Sequence, residues 1–246
     1  MDAHLRFTRG DTVLISGAGS GIGRATALIA AQQGLQVGAW DIAEEGLSKT
    51  VEEIRQAGGT AHSFVGDVSN EQTVNEGMAA VRKELGPIRY LFNNAGPGSA
   101  TPMEFNDALL AAVGSVRLMT DTWADTGLPA DAAMVVTTSV AGNLIGTDSA
   151  WYSASKAALM GYVRHLTAYR SGEFRSNGVA PGMTDTPRLA KFKESEMGQR
   201  VLEKIPLKRM ATPEDIAWAA LFLLSPLSSY TNGVFLPVDG GWTVTQ

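Results

Sequence analysis

Residues 12–23 read TVLISGAGSGIG, a short apolar run that leads directly into a turn with four glycines. The apolar run predicts a buried strand over residues 12–16, and the sequence after the turn predicts a helix over about 22–33. Further apolar runs alternate with helical patterns along the chain, which is typical of parallel β-α-β units. We therefore expect an α/β fold in which residues 1–246 form a single doubly wound domain, with a parallel sheet of about seven strands flanked by helices.

The glycines of this turn suit the binding of a dinucleotide. Gly17 lets the strand turn, Gly21 lets the backbone approach a pyrophosphate, and Gly23 lets the helix pack against the strand. The helix N-terminus, with Ser20 and Ile22 beside it, presents free N–H groups and the positive end of the helix dipole to phosphate. A tight turn without a ligand does not account for so many glycines. The strand–turn–helix context therefore predicts a Rossmann-type dinucleotide site.

Asp41 ends the second predicted strand and indicates which dinucleotide binds. An acidic residue at this position accepts hydrogen bonds from the hydroxyls of the adenosine ribose. A 2′-phosphate would bring negative charge against the carboxylate, and two unit charges about 4 Å apart repel by roughly 4 kcal/mol at an intermediate dielectric. No Arg or Lys lies inside the glycine turn or immediately after Asp41. NAD(H) is therefore predicted over NADP(H); the alternative is that Asp41 only caps the next helix.

Composition and charge exclude several other classes of function. The formal net charge is -5 and no basic patch stands out, so nucleic acid is not an expected partner. Cysteine is absent, which excludes disulfides, thiolate metal sites and a cysteine nucleophile. The histidines lack metal-ligand spacing, so no metal is predicted. No apolar stretch reaches the roughly 20 residues of a membrane helix, and residues 1–10 do not resemble a secretory signal. We expect no membrane association and a cytoplasmic location.

Several later segments complete the predicted pattern. Residues 104–126 predict one helix, residues 133–139 a fifth strand, and residues 174–180 a weak sixth strand. Residues 182–209 are rich in Thr, Pro, Lys and Glu, and they predict an irregular, mobile insertion near the carboxyl ends of the strands. Ligands bind at that edge of such sheets. This segment is therefore the candidate substrate loop.

Tyr152, Lys156 and Ser139 indicate acid–base chemistry. A spacing of four residues on a helix places Tyr152 and Lys156 on one face. A free tyrosine has a pKa near 10, and a neighbouring ammonium stabilises the phenolate and lowers that pKa. Ser139 ends the fifth predicted strand, where its hydroxyl can bind a substrate oxygen. A Tyr–Lys pair alone arises often by chance, and the alternative is an exposed helix face.

Together these features resemble the short-chain dehydrogenase/reductase family, and the resemblance covers almost the whole chain. The glycine turn matches the family's TGxxxGIG motif, with Ser16 in place of threonine. Several such motifs in the right order are very specific. The other matching segments are GDV (66–68), NNAG (93–96), TSVAG (138–142), YSASK (152–156), PGMTDT (181–186), TPEDIA (212–217) and VDGG (238–241).

The resemblance implies a hydride transfer between a nicotinamide cofactor and a secondary alcohol or ketone. Tyr152 would be the general acid/base, Lys156 would lower the tyrosine pKa and hold the nicotinamide ribose, and Ser139 would position the substrate oxygen. A homotetramer or homodimer is implied in the same way. Beyond the glycine turn and Asp41, the implied cofactor-binding residues are Ile42, Asp67, Val68, Asn94, Ala95, Gly96, Tyr152, Lys156, Pro181, Gly182, Thr184 and Thr186.

The candidate substrate pocket is largely apolar, which indicates a hydrophobic small-molecule substrate. For each of its members, ordinary packing is an equally good interpretation. The segment between Gly96 and Phe105 is short for the family, and this gap widens the expected pocket. The candidates are Pro97, Val140, Leu144, Ile145, Ser149, Met183 and Trp242.

The sequence departs from the family at Ala112, which stands where a fourth catalytic residue, an asparagine, is usual. That asparagine helps to kink the helix and to order a water that leads to the lysine. A backbone carbonyl can still hold such a water, and Gly114 allows a bend, so we expect activity with a slower proton relay. Two alternatives stay open: a 3-ketoacyl-carrier-protein reductase, and an NAD-binding protein with weak or no turnover.

Overall fold

The computed structural model describes residues 4–142, 144–145 and 147–245. Seven strands form one parallel sheet. The strands are β1 Thr12–Ser16, β2 Gln36–Asp41, β3 Ala61–Val65, β4 Ile88–Asn93, β5 Ala133–Thr137, β6 Arg175–Pro181 and β7 Phe235–Val238. The helices are α1 Gly21–Gln32, α2 Glu44–Gln56, α3 Glu71–Leu85, α4 Phe105–Leu109, α5 Ser115–Ala124, α6 Ala150–Tyr169, α7 Ala190–Glu194, α8 Glu196–Lys204 and α9 Pro213–Leu224.

The strand order β3-β2-β1-β4-β5-β6-β7 is that of a doubly wound sheet, so the predicted fold class is confirmed. Successive side chains of a strand point to opposite faces, and this alternation divides the core in two. Val13 and Ile15 face a cluster with residues of α1, α2 and α9, whereas Leu14 faces a cluster with residues of α3, α5 and α6. Burial on both faces explains why the strands β1 and β5 are largely apolar. No helix in the described part of the chain is long and apolar enough to span a membrane.

Two predicted boundaries near the middle of the chain are wrong. Residues 104–126 do not form one regular helix, because a π-helical turn over Leu110–Gly114 separates α4 from α5. Ser115 follows this turn and donates a hydrogen bond of 2.6 Å to the carbonyl of Ala111, which supports the widened backbone. Strand β5 ends at Thr137, so Ser139 lies in the loop after the strand and not at its last position.

The prediction of an irregular insertion over residues 182–209 is also wrong, because α7 and α8 occupy much of it. Ser195 caps α8 by accepting a hydrogen bond of 3.1 Å from the N–H of Gly198. Apolar residues recur along both helices and bury one face against a small third core. That core consists of Met183, Ile205 and Met210, with Leu189, Phe192, Val201, Leu202 and Trp242 packed against it.

The sixth strand, predicted to be weak, is anchored by Arg175 at its first position. The Arg175 guanidinium donates hydrogen bonds to the carbonyls of Leu223 at 2.9 Å and Leu224 at 3.1 Å, in the last turn of α9. It also reaches the carbonyls of Ser225 and Thr231, both at 3.2 Å. A cation at a helix C-terminus satisfies carbonyls that have no partner within the helix. Arg175 thereby ties the C-terminus of α9 to the sheet.

Replacing Arg175 by methionine is expected to lower the free energy of unfolding by about 2–4 kcal/mol, because several half-buried carbonyls lose a charged donor at once. Chemical denaturation followed by circular dichroism measures this change. Arg117→Met is the matched control, since the Arg117 side chain is 74% exposed and pairs with Asp121 at a spacing of i,i+4 on the helix surface. The control should change stability by less than about 0.5 kcal/mol. Equal losses in the two variants would contradict the assigned role.

Candidate active site

The glycine turn after β1 forms an open cradle at the N-terminus of α1. Gly17 and Gly21 adopt positive φ values of 72° and 50°, a region that favours glycine. A Cβ atom on Gly23 would lie 2.0 Å from the carbonyl oxygen of Gly17, so only glycine fits there. Ser20, the N-cap residue, makes no side-chain capping bond, and the first turn of α1 has no acidic residue. The N–H groups of Gly21 and Ile22 therefore begin a helix whose positive end suits a pyrophosphate.

Asn94 fixes the other side of this turn. Its Nδ2 donates hydrogen bonds to the carbonyls of Ser16 at 3.3 Å and Gly17 at 3.4 Å. In return, the Ser16 hydroxyl accepts bonds from the N–H groups of Asn94 at 3.0 Å and Ala95 at 3.1 Å. The segment that continues to Gly96 is thus attached to the end of β1. Asn94 and Ala95 lie beside the cradle, and contact of Asn94, Ala95 and Gly96 with a cofactor stays a prediction.

Asp41, the last residue of β2, points its carboxylate at the same turn. Oδ2 accepts a hydrogen bond of 2.8 Å from the N–H of Gly19, and Oδ1 accepts one of 2.9 Å from the N–H of Ala43. A Cβ atom on Gly19 would lie 3.0 Å from Oδ2, so the glycine permits this approach. Ile42 follows with 69% of its surface exposed. An acceptor beside the turn, with an exposed apolar neighbour, fits an adenosine moiety.

Asp67 and Val68 follow β3 at the neighbouring strand end. The Asp67 carboxylate accepts two hydrogen bonds from Ser69, one from its N–H and one from its hydroxyl, both at 2.8 Å. Val68 is half-buried and packs against the core. The carboxylate therefore shapes the turn before α3. Contact of these two residues with adenine stays a prediction.

Ser139, Tyr152 and Lys156 are placed by β5 and α6. The Lys156 ammonium lies 5.5 Å from the centroid of the Tyr152 ring. Its Nζ donates a hydrogen bond of 2.8 Å to the main-chain carbonyl of Thr137, the last residue of β5. Ser139 follows two residues later, and its largely buried hydroxyl accepts a bond of 3.2 Å from the N–H of Ala141. The predicted Tyr–Lys pair is therefore held at the carboxyl end of the sheet and not on an exposed helix face.

The segment after β6 returns to the glycine turn. Gly182 donates a hydrogen bond of 3.0 Å from its N–H to the carbonyl of Val238, which continues the sheet past Pro181. Thr184 is buried and forms an isolated bridge with Ala211. The methyl group of Thr186 lies only 3.2 Å from where a Cβ on Gly21 would stand. Thr186 thus sits directly against the cradle, and its contact with a cofactor stays a prediction.

Comparison with known proteins decides the family of this chain. A family model described as Enoyl-(Acyl carrier protein) reductase matches residues 17–243. The 7alpha-hydroxysteroid dehydrogenase of Escherichia coli (strain K12) is 34% identical over 240 residues, which cover 94% of this chain and 94% of that protein. The chain belongs to the short-chain dehydrogenase/reductase family.

Two further similarities place this short-chain dehydrogenase/reductase among oxidoreductases. The cyclohexanol dehydrogenase of Rhodococcus sp. (strain TK6) is 34% identical over 262 residues, covering 96% of this chain and 97% of that protein. A solved structure of 7α-hydroxysteroid dehydrogenase, complexed with NADH and 7-oxo glycochenodeoxycholic acid, matches with a TM-score of 0.89. Its sequence is 33% identical, and the match covers 97% of this chain and 96% of that one.

The pocket candidates of this short-chain dehydrogenase/reductase differ in how far they are buried. Met183 and Trp242 pack together in the third core under α7 and α8. Val140 is buried immediately after Ser139, whereas Leu144 is 47% exposed. The remaining candidates, Pro97, Ile145 and Ser149, are half-buried, and the hydroxyl of Ser149 is buried without a hydrogen-bond partner among the described residues. Contact of all seven with a substrate stays a prediction.

Ala112 lies inside the π-helical turn between α4 and α5 and is buried. The family pattern has an asparagine at this position that bends the helix, and here the backbone widens without it. Gly114 ends the turn, at the position where the sequence allows a bend. The helix is therefore interrupted at this point even though Ala112 replaces the usual asparagine. That a main-chain carbonyl of this turn holds a water stays a prediction.

Two features of the structure lie outside the sequence-based site. Thr137 contacts Lys156 through its carbonyl, and sequence analysis did not single it out because main-chain contacts leave no residue pattern. The available signal was a hydroxyl residue, Thr137, two positions before Ser139. A cleft of about 1060 Å³ lies between α3 and the α4–α5 region, and none of the predicted site residues lines it.

Proposed function

We propose that the protein is an NAD(H)-dependent oxidoreductase that interconverts a secondary alcohol and a ketone on a hydrophobic substrate. Tyr152 is the general acid/base of this reaction. The observation that carries the proposal is the placement of the Lys156 ammonium 5.5 Å from the centroid of the Tyr152 ring, at the strand ends beside Ser139. A phenol next to a fixed cation ionises more readily than a free tyrosine.

The chain's own residues handle the proton and the substrate oxygen. In alcohol oxidation the Tyr152 phenolate takes the hydroxyl proton, and in ketone reduction the phenol returns it. The Ser139 hydroxyl positions the substrate oxygen, and the Lys156 ammonium stabilises the phenolate. The bound nicotinamide supplies the hydride acceptor or donor.

The preference for NAD(H) rests on Asp41. Its carboxylate lies against the glycine turn, bonded to the N–H of Gly19, and its second oxygen bonds Ala43. Such a group accepts hydrogen bonds from ribose hydroxyls and repels a 2′-phosphate. The pyrophosphate would be held by Gly21 and Ile22 at the N-terminus of α1. The nicotinamide end would be held by Lys156 and by the segment from Pro181 through Gly182 and Thr184 to Thr186, as the family motifs imply.

The hydrophobic substrate is supported by the side chains near the site and by the relatives. Val140 follows Ser139, and Met183 and Trp242 belong to an apolar cluster under α7 and α8. Two of the relatives are named for a hydroxysteroid and for cyclohexanol, both of which are cyclic alcohols. A neutral cyclic secondary alcohol is therefore the substrate class that we propose to test first.

Two other functions have an observation in their favour. A carrier-protein substrate is favoured by the description of the matching family model, whereas Asp41 argues against the NADPH that a 3-ketoacyl-carrier-protein reductase usually draws on. An NAD-binding protein with little turnover is favoured by Ala112, and the placement of Ser139, Tyr152 and Lys156 argues against it. The homotetramer and the cytoplasmic location stay predictions.

The proposed function is tested by following nicotinamide reduction with NAD and with NADP across secondary alcohols from cyclohexanol to a hydroxysteroid. We expect turnover with NAD and a kcat/KM that is higher for cyclic alcohols than for short acyclic ones. NADPH-dependent reduction of a 3-ketoacyl thioester as the best activity would support the carrier-protein function instead. Absence of turnover in a protein that binds NADH would support the non-catalytic function and make Ala112→Asn the next variant.

A further inference from the structure

Thr137 makes two hydrogen bonds that lead in different directions from the end of β5. Its main-chain carbonyl accepts a bond of 2.8 Å from the Nζ of Lys156. Its hydroxyl donates a bond of 3.0 Å to the Oδ1 of Asn94. One residue therefore contacts both the lysine of the candidate acid–base pair and the asparagine that borders the glycine turn.

The Asn94 side chain is a rigid attachment point for the Thr137 hydroxyl. Its Nδ2 bonds the carbonyls of Ser16 and Gly17, so both ends of the amide are occupied. A Cβ atom on Gly17 would lie 2.9 Å from Nδ2, and one on Gly23 would lie 2.7 Å from it. The amide is thus wedged between two glycines and has little room to move.

We propose that Thr137 is a positioning residue, whose side-chain bond to Asn94 fixes the main-chain carbonyl that holds Lys156 beside Tyr152. The inference deepens the proposed function and rests on it. A lysine ammonium sits on a flexible four-carbon stem, so its position depends on what its donors bind. When the Thr137 carbonyl is fixed, the ammonium stays over the phenol ring. When the hydroxyl anchor is lost, the carbonyl shifts and the ammonium spends more time in solvent.

The test compares Thr137→Val, which removes the hydroxyl at nearly constant shape, with Thr137→Ser, which retains it. The first measurement is the ionisation of Tyr152 in the ligand-free protein, taken as the tyrosinate absorbance that disappears when Tyr152→Phe is added to each variant. Thr137→Val is expected to raise the Tyr152 pKa by about 0.5 to 1, the shift that corresponds to one hydrogen bond. Thr137→Ser should restore the wild-type value.

The second measurement is the pH profile of NAD-dependent cyclohexanol oxidation. Alcohol oxidation needs the phenolate, so a raised Tyr152 pKa moves the acidic limb of kcat to higher pH. In Thr137→Val we expect the acidic limb to move to higher pH. At pH values below the Tyr152 pKa, kcat should fall by about three- to tenfold. Activity should recover at high pH, because the phenolate still forms there.

Thr138→Val is the matched control, because the Thr138 hydroxyl also donates to a carbonyl oxygen, but that oxygen belongs to Val179, at 2.8 Å, and not to Asn94. It should lower stability without moving either the titration or the pH limb. An unchanged or lowered Tyr152 pKa in Thr137→Val, or an equal shift in Thr138→Val, would overturn the inference. If the titration shifts as expected but the wild type oxidises no alcohol, the positioning role stands and the proposed function fails.

Discussion

Replacing Tyr152 by phenylalanine is expected to lower kcat for alcohol oxidation by about 10²–10⁴-fold, the usual contribution of general acid–base catalysis. The substitution removes only the hydroxyl. The ring keeps its edge-to-face contact with Trp151, whose centroid is 5.7 Å away at an interplanar angle of 79°, so the fold should persist. Steady-state formation of NADH at saturating NAD and cyclohexanol measures the loss. Fluorescence titration with NADH checks that cofactor binding is retained.

Tyr162→Phe is the matched control for this experiment, since Tyr162 lies on the same helix. Its hydroxyl donates a hydrogen bond of 3.4 Å to the carboxylate of Asp121 on α5. Burial, reinforced by the charge of Asp121, raises the pKa of Tyr162 well above its usual range, so this phenol stays protonated and cannot act as a base. The control should keep kcat close to the wild-type value. A comparable loss in both variants would indicate damage to α6 and not loss of the acid/base.

The parts of the fold that sequence analysis predicted well are those with a local physical cause. The strand–turn–helix over residues 12–32 follows from an apolar run and from glycines that the cradle requires, at Gly17 and Gly23. The Tyr152–Lys156 pair follows from helical periodicity alone. Asp41 was placed correctly at the end of β2 because the strand is apolar up to that residue.

The parts that sequence analysis missed depend on contacts between distant segments. The π-helical turn over Leu110–Gly114 has the composition of an ordinary helix, so its widened backbone leaves no signal in the residue types. The segment that forms α7 and α8 was predicted to be irregular because its residues are mostly polar. A few apolar side chains are enough to pack both helices against the third core. The contact of Lys156 with Thr137 joins residues from a helix and a strand through a main-chain atom. Patterns of residue type do not record such contacts.

Replacing Asp41 by asparagine is expected to shift the cofactor preference toward NADP. Removing the carboxylate charge relieves its repulsion of a 2′-phosphate, which amounts to about 1–4 kcal/mol at a separation of about 4 Å, depending on how far solvent screens the half-exposed site. The ratio of kcat/KM for NADP to that for NAD should therefore rise between about fivefold and 10³-fold. Adding Ile42→Arg, at a position that is 69% exposed, supplies a cation for the phosphate and should raise the ratio further.

Asp67→Asn is the matched control for the charge change, because Asp67 also lies at the end of a strand, but its carboxylate bonds Ser69 and not the glycine turn. It should change the affinities for NADH and NADPH by the same factor, as fluorescence titrations of both can show. The binding measurement matters because Asp41 also accepts the N–H of Gly19, so its loss loosens the turn and weakens both cofactors together. Only the ratio of the NADP value to the NAD value separates the effect of the charge from this common loss of affinity. The prediction fails if the wild type already prefers NADP, or if Asp41→Asn leaves the ratio of kcat/KM values unchanged. Either result would mean that the carboxylate only holds the backbone of the glycine turn and that other residues select the cofactor.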